Sequence, residues 1–400
     1  MPSSATLQAA VNALAADARI GPSVGVLVTD ALTGNVLAEH DSASPHTPAS
    51  TAKLVTAVAA LGTLDPTSTL TTRVVDGGSG RIVLVGGGDM MLAPGAGDPN
   101  AVDGHAGLGD LAAQVARDLK LTGTTTVRLS VDDSLFSGPA TSPGWDPGYQ
   151  SSGFVAPVTA LGVHTARVHP ETEYSVRYPD PTTNAATVFA QRLTEAGITV
   201  QGAPSRVTAA PDARVLGEVR SARLDQLVGY FLDSSDNTIT EVVSRLVALH
   251  QKLPPSFDGG TQAVLHAVAT LGADVTGARL VDASGLAAGS TLPPTLLVQL
   301  LKLMVDGTHP ALTGVAADLP IAGLTGTLFD RFTQSAARGL VRAKTGSLPS
   351  VTSLAGTVIT ADGRQLLFAV LADQTGAVGQ DPPRRAVDAF VAGLAACGCH

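Results

Sequence analysis

Apolar and polar positions divide the chain into a compact opening, a long irregular middle and a regular final half. Leu7 to Ala16 is alanine-rich and apolar, which predicts a helix. Ser23–Asp30 and Val36–His40 are short strand-like runs joined through Thr33-Gly34-Asn35, whose residues tolerate the positive φ of a hairpin turn. After Pro48 the residues from Ser50 to Leu61 are mostly helix-compatible with an apolar bias, so a helix is expected to begin near Ser50.

From about residue 63 to 215 short β-rich runs (Leu70–Val75, Arg81–Val85, Thr125–Val131, Val207–Ala210) alternate with connections rich in Gly, Pro and Asp. Two helices are expected inside this region, near Leu108–Leu119 and Ala185–Ala196. Helical patterns resume at Leu224–Leu232, Ile239–Leu249, Gly260–Leu271 and Pro293–Val305. Leu340–Lys344, Leu354–Thr360 and Gln365–Asp373 then read as strands, the last two joined by the hairpin signal Ala361-Asp362-Gly363-Arg364. Pro382 and Pro383 open a final helix, Arg384–Ala396. The pattern predicts an α/β fold of the α+β type, with an antiparallel sheet built from both ends of the chain and flanked by helices. Residues 1–62 and 216–400 are expected to form one domain, and 63–215 an inserted accessory region of two nested subdomains.

Composition narrows the function classes. The chain has 400 residues, 44% hydrophobic and 15% charged, which excludes a disordered or polyelectrolyte protein. Its formal charge of −9, without a lysine or arginine run, argues against nucleic acid as the main partner. No apolar run approaches the roughly 20 residues of a transmembrane span. The opening Met1-Pro2-Ser3-Ser4-Ala5 lacks the basic-then-apolar order of a secretory signal, so either the protein is cytosolic or a signal has been removed. The two cysteines, Cys397 and Cys399, fall short of a zinc ligand set even with His400, and read as a local disulfide or a frayed tail. His164 and His169 have no metalloprotease spacing, and Gly86-Gly87-Gly88-Asp89 lacks the Lys-Ser/Thr of a phosphate loop and reads as a strand-ending turn. No metal or cofactor is expected.

Candidate chemistry lies at the mouth of the Ser50 helix. Ser50 and Lys53 stand three apart, hence on one helix face, and an amine there can activate a serine hydroxyl that is otherwise a poor nucleophile. Unpaired N–H groups at the helix start offer themselves to an oxyanion. Taken alone, the pair reads first as a helix cap at Ser50 and a surface charge at Lys53. Ser235-Asp236-Asn237 and Lys344-Thr345-Gly346 change that balance: with Ser50-Thr51-Ala52-Lys53 they make the ordered trio S-x-x-K, S-D-N, K-T-G. Two of only five lysines fall on motif positions.

On these motifs, together with Leu84-Val85-Gly86-Gly87-Gly88-Asp89, Val131-Asp132-Asp133-Ser134-Leu135-Phe136, Ala156-Pro157-Val158-Thr159-Ala160-Leu161, Asp282-Ala283-Ser284-Gly285-Leu286 and Leu319-Pro320-Ile321-Ala322-Gly323, the chain resembles the low-molecular-mass class C penicillin-binding proteins. These are the D-alanyl-D-alanine carboxypeptidase/endopeptidase family of peptidase S13. The resemblance implies a β-lactamase/transpeptidase-like domain, with an insertion that the 182 positions between Lys53 and Ser235 accommodate. It implies Ser50 as nucleophile, Lys53 as base, Ser235 as proton relay to the leaving amine and Asn237 as a hold on Lys53 and the substrate amide. Lys344 would set the positive potential, and Thr345, Gly346 and Ser347 would take the substrate's carboxylate edge. The N–H groups of Ser50 and Ser347 would form the oxyanion hole.

The implied partners are peptidoglycan stem peptides and, as covalent inhibitors, β-lactam antibiotics; the implied location is extracytoplasmic. Trp145 and Asp146 are candidates for lining the stem-peptide pocket, beside the plainer reading of a buried tryptophan and a turn aspartate. Two departures stand out. An arginine often follows the Asp-Gly-Ser-Gly-Leu segment in this family and helps bind the acidic side chain of the peptide stem, whereas Ala287-Ala288 follow Leu286 here. The last glutamate is Glu241, so the downstream glutamate that activates deacylating water in class A β-lactamases is missing, and a long-lived penicillin adduct is expected. The competing readings are a non-catalytic cell-wall scaffold, which would have no reason to keep all five motif residues, and a β-lactamase.

Overall fold

The computed structural model describes residues 3–376 and 379–398. The strands in chain order are β1 (Val24–Asp30), β2 (Val36–His40), β3 (Thr69–Gly78), β4 (Arg81–Val85), β5 (Asp89–Leu92), β6 (Thr126–Asp132) and β7 (Leu161–Val163). They continue with β8 (Thr199–Val200), β9 (Ser205–Arg206), β10 (Val215–Arg223), β11 (Val341–Leu348), β12 (Val351–Ile359) and β13 (Gln365–Ala372). The helices are α1 (Ser4–Ala15), α2 (Lys53–Thr63), α3 (Leu108–Leu121), α4 (Pro181–Glu195), α5 (Leu224–Ser234), α6 (Asn237–His250), α7 (Phe257–Thr270), α8 (Pro294–Val305) and α9 (Asp381–Ala396).

Contacts group the chain into two compact units. The first holds the chain up to Leu64, Val228–Asp236 and everything from Phe257 onward. Its sheet has the antiparallel order β11-β12-β13-β1-β2, so strands from both ends of the chain sit side by side. Asp30 pairs with Leu366 and Val24 with Ala372 in an unbroken register. β1 is buried along its whole length because its two faces are both covered: Val24, Val26 and Val28 join a core with α1 and α9, and α8 lies against β1 and β13 on the other side. A strand buried on both faces reads as a continuous apolar run, as Val24–Val28 does.

The second unit holds Asp65–Leu227 and Asn237–Ser256. Its mixed sheet runs β10-β3-β4-β6-β8, with β9 also on β6, and α3 and α4 pack their apolar faces onto its core. This division differs from the expected boundaries at 62/63 and 215/216. β10 belongs here because it pairs with β3. α6 belongs here because Thr238 Oγ1 accepts the Ala156 N–H at 3.0 Å and the Arg245 guanidinium lies over the Phe136 ring at 5.4 Å.

The expected strand Val207–Ala210 does not form. Val207 N–H still reaches Val131 O, but Asp132 Oδ2 captures the Ala209 N–H at 2.8 Å and turns the chain away from the ladder. Cys397 is half-buried against the first core, while Cys399 and His400, on which the disulfide and tail readings depend, lie outside the described residues.

Candidate active site

The candidate nucleophile sits on a strained turn. Ala49 has φ +47°, the left-handed region that costs a residue with a Cβ about 1 kcal/mol or more. Ser50 then lies in a 3-10 turn, Ala49–Ala52, that tightens the entry to α2. The Pro48 carbonyl anchors the turn by accepting from Thr51 Oγ1 and from Ser353 Oγ on β12, both at 2.7 Å. Lys53, the first residue of α2, is fully buried, with Nζ 2.9 Å from Ser50 Oγ and 2.9 Å from the Ser284 carbonyl. The reading of Lys53 as a solvated surface charge is thereby excluded.

Ser284 belongs to a loop shaped by a buried carboxylate. Asp282 accepts the N–H groups of Gly285 and Ala287, both at 2.8 Å, and the Ser284 hydroxyl at 3.2 Å. Thr56 of α2 donates to Ala283 O at 2.9 Å and ties the loop to the helix that carries Lys53. Gly285 has φ +75°, and a Cβ there would stand 1.9 Å from Ala49 O, so only glycine lets the loop meet the nucleophile turn.

Lys344, Thr345 and Gly346 lie within β11, whose register with β12 is regular. A Cβ on Gly346 would stand 2.1 Å from Ser353 Oγ and 2.7 Å from Pro48 O, so this glycine lets the strand press against the nucleophile turn. Lys344 is fully buried, and its pKa is held well below the lysine range by burial and by the charge on Lys53, with Asp233 pulling the other way. Asp233, on α5, has its carboxyl pushed up by burial, against the opposing pull of Thr325 and Lys344. Desolvated lysines facing one another disfavour simultaneous protonation of the pair. Thr345 Oγ1 donates to Thr327 Oγ1 at 2.8 Å, and Ser347 is exposed on the strand.

The third motif spans the point where the chain passes from one unit to the other. Ser235 is left-handed at φ +60° and Asp236 is buried, both in the first unit. Asn237 opens α6 in the second, where its Nδ2 donates to Phe154 O at 2.8 Å. That bond fixes the amide, with Oδ1 as its acceptor end.

Trp145 and Asp146 lie in a second-unit loop. Trp145 is buried, and Asp146 is exposed with Oδ1 accepting the Gly148 N–H at 2.7 Å. Ser50, Lys53, Lys344, Thr345 and Gly346 thus share the first unit's turn, helix and strand, and Trp145 and Asp146 belong to the second unit. Sequence reasoning missed the Ser284 carbonyl, Asp282 and Asp233. The Asp-x-Ser-Gly spacing of a side-chain-templated turn was the available signal for the first two. Among the described residues no group of three His, Cys, Asp or Glu is placed to hold a metal.

Comparison with known proteins gives a consistent set of matches. The profile of the D-Ala-D-Ala carboxypeptidase 3 (S13) family matches residues 7–175 and 166–395. The chain is 39% identical to carboxypeptidase Rv3627c of Mycobacterium tuberculosis, over 100% of this chain and 85% of that protein. It is 38% identical to carboxypeptidase DacB of Mycolicibacterium smegmatis, over 98% and 85%. The fold is shared with penicillin binding protein 4 (dacB) of Haemophilus influenzae, at TM-score 0.77, 22% identity and coverage of 93% and 95%; that protein has also been solved with a β-lactam.

Proposed function

We infer from the family to which this chain belongs, the D-Ala-D-Ala carboxypeptidase 3 (S13) family, that Ser50 is the residue through which it works. The chain is a serine-type D-Ala-D-Ala carboxypeptidase, a penicillin-binding hydrolase of peptidoglycan acting on D-Ala-D-Ala termini, cross-links or both. The observation that carries the residue assignment is the 2.9 Å approach of Lys53 Nζ to Ser50 Oγ inside a buried, lysine-rich site.

The proposed cycle follows from this geometry. Lys53, as its free amine, would take the Ser50 proton as Oγ bonds to the carbonyl carbon of the penultimate D-Ala, and the N–H groups of Ser50 and Ser347 would receive the oxyanion. The C–N bond breaks, and the leaving amine takes a proton delivered through Ser235. Water then attacks the ester carbonyl, the acyl–Oγ bond breaks, and Ser50 recovers its proton. Asn237 takes the substrate amide, and Thr345, Gly346 and Ser347 take the terminal carboxylate under the field of Lys344. Trp145 and Asp146 remain candidates for the stem peptide.

Among the described residues no helix is long and apolar enough to cross a membrane. The substrate's location implies action outside the cytoplasm, in the periplasm or cell wall.

The test is covalent labelling. A fluorescent penicillin should add to Ser50, with the modified peptide identified by mass spectrometry, and Ser50→Ala should abolish both the adduct and the release of D-Ala from a pentapeptide. An adduct on another residue, or release that survives Ser50→Ala, refutes the assignment.

A further inference from the structure

Four residues before the nucleophile, a buried histidine stands between two carboxylates. His46 is 3% exposed, with Nδ1 3.4 Å from Asp373 Oδ1 and Nε2 3.4 Å from Asp41 Oδ2. Asp373, which directly follows β13, also accepts the Ser23 hydroxyl at 2.5 Å and, through Oδ2, the backbone N–H of Thr47 at 2.9 Å. The chain leading to Ser50 is therefore fixed residue by residue from different elements. His46 exchanges both backbone groups with Leu292 (3.0 and 2.8 Å), Thr47 donates to Asp373, and Pro48 accepts from Ser353. A left-handed Ala49 persists only where its surroundings over-determine it, and these three anchors are on its upstream side.

We propose that Asp373 and His46 form a charged clasp that positions Ser50 for acylation, the imidazolium of His46 holding the Asp373 carboxylate against the Thr47 N–H. This rests on Ser50 being the nucleophile. Both are positioning residues, since neither touches the reacting atoms in the cycle above. Burial works against charge on His46, but Asp373 and Asp41 outweigh it and raise its pKa above 6.5. Burial would raise Asp373, but His46, Ser23 and the Thr47 N–H bring it down to about 2. Asp41 and Asp373 are the charged groups that face the ring, and Gly25 lies directly against it, a Cβ there standing 2.6 Å from His46 Cδ2. A histidine raised in the folded state is charged below its folded pKa, so the clasp is closed below that raised value and opens as pH climbs through it.

The experiment measures two pH profiles on the full chain: the NMR titration of the His46 ring, and the rate of acylation by a fluorescent penicillin. Asp41→Asn alters a half-exposed side chain and leaves the Thr47 contact intact. It should lower the His46 titration, and the alkaline limb of the acylation profile should move down with it. Asp373→Ala removes the acceptor for Thr47 and should slow acylation roughly tenfold or more at pH values where His46 is charged, the scale of a lost charge-assisted hydrogen bond. Asp373→Asn, which keeps an oxygen for that N–H, should recover part of the loss. A His46 titration that moves while the acylation profile stays still overturns the clasp, as does a folded Asp373→Ala acylated at the wild-type rate. Wild-type protein that takes no adduct on Ser50 refutes the nucleophile assignment instead and leaves the His46 titration unaffected.

Discussion

Gly285→Ala, compared with Gly34→Ala, isolates what the close approach behind the nucleophile is worth. Both glycines have φ +75°, so each substitution carries the same backbone cost, about 1–2 kcal/mol. At Gly34 the new Cβ meets nothing within 4 Å, whereas at Gly285 it would stand 1.9 Å from Ala49 O and 2.9 Å from the Ala52 Cβ. The loop must retreat by roughly 1 Å or more to restore van der Waals distance, which adds about 1–3 kcal/mol of overpacking. A retreat of that size stretches the 2.9 Å bond from Lys53 Nζ to Ser284 O past hydrogen-bonding range. Losing a hydrogen bond to a charged or ionising group costs about 1.5–3 kcal/mol, or roughly ten- to hundredfold in acylation rate. Denaturant unfolding and the second-order rate of penicillin acylation are the two assays. Gly34→Ala should lose a little stability and no acylation rate, and Gly285→Ala should lose more of the first and much of the second. If the two variants unfold alike and acylate alike, the loop does not support Lys53 and the reasoning fails.

Two further outcomes follow from the lysines and from the glutamate pattern. The folded pKa of Lys344 is depressed, so the unfolded state binds more protons between that value and about 10.5, and stability rises with pH across that window. Lys344→Met should therefore unfold later than wild type at neutral pH, by a margin that shrinks as pH approaches 10.5, while acylation is lost; a variant less stable than wild type would contradict the burial cost. Glu241 is the last glutamate and lies buried on α6, so the penicillin adduct on Ser50 should persist for many times the acylation time, as followed by intact-protein mass spectrometry. Rapid turnover of a chromogenic cephalosporin would show that another group activates the deacylating water.

Features encoded in local side-chain chemistry were readable from sequence. Thr33-Gly34-Asn35 and Ala361-Asp362-Gly363-Arg364 announce hairpins because turns with positive φ select such residues, and both hairpins form. The S-x-x-K and K-T-G motifs were readable because the chemistry needs those side chains, and Ser50, Lys53 and Lys344 do meet in one unit. What stayed hidden has no side-chain signature or depends on distant partners. Ser284 acts through its carbonyl, and Ala49 is left-handed without being Gly, Asn or Asp. α6 looks like any apolar helix, and only its partners Ala156 and Phe136 assign it to the second unit. Val207–Ala210 has strand-like composition, but one carboxylate, Asp132, diverts it.

The pairing of β1 with β13 also has a temporal meaning. Asp30 cannot meet Leu366 until 336 further residues have been made. At about 5–20 residues per second that is a delay of roughly 20–70 seconds after β1 is synthesised. Until then Thr47 lacks the Asp373 acceptor and Pro48 lacks the Ser353 donor, two of the three anchors that hold the left-handed Ala49 from its upstream side. A growing or truncated polypeptide therefore carries the Ser50 and Lys53 side chains without a functioning nucleophile. The hydrolase comes into being only when its last strands arrive.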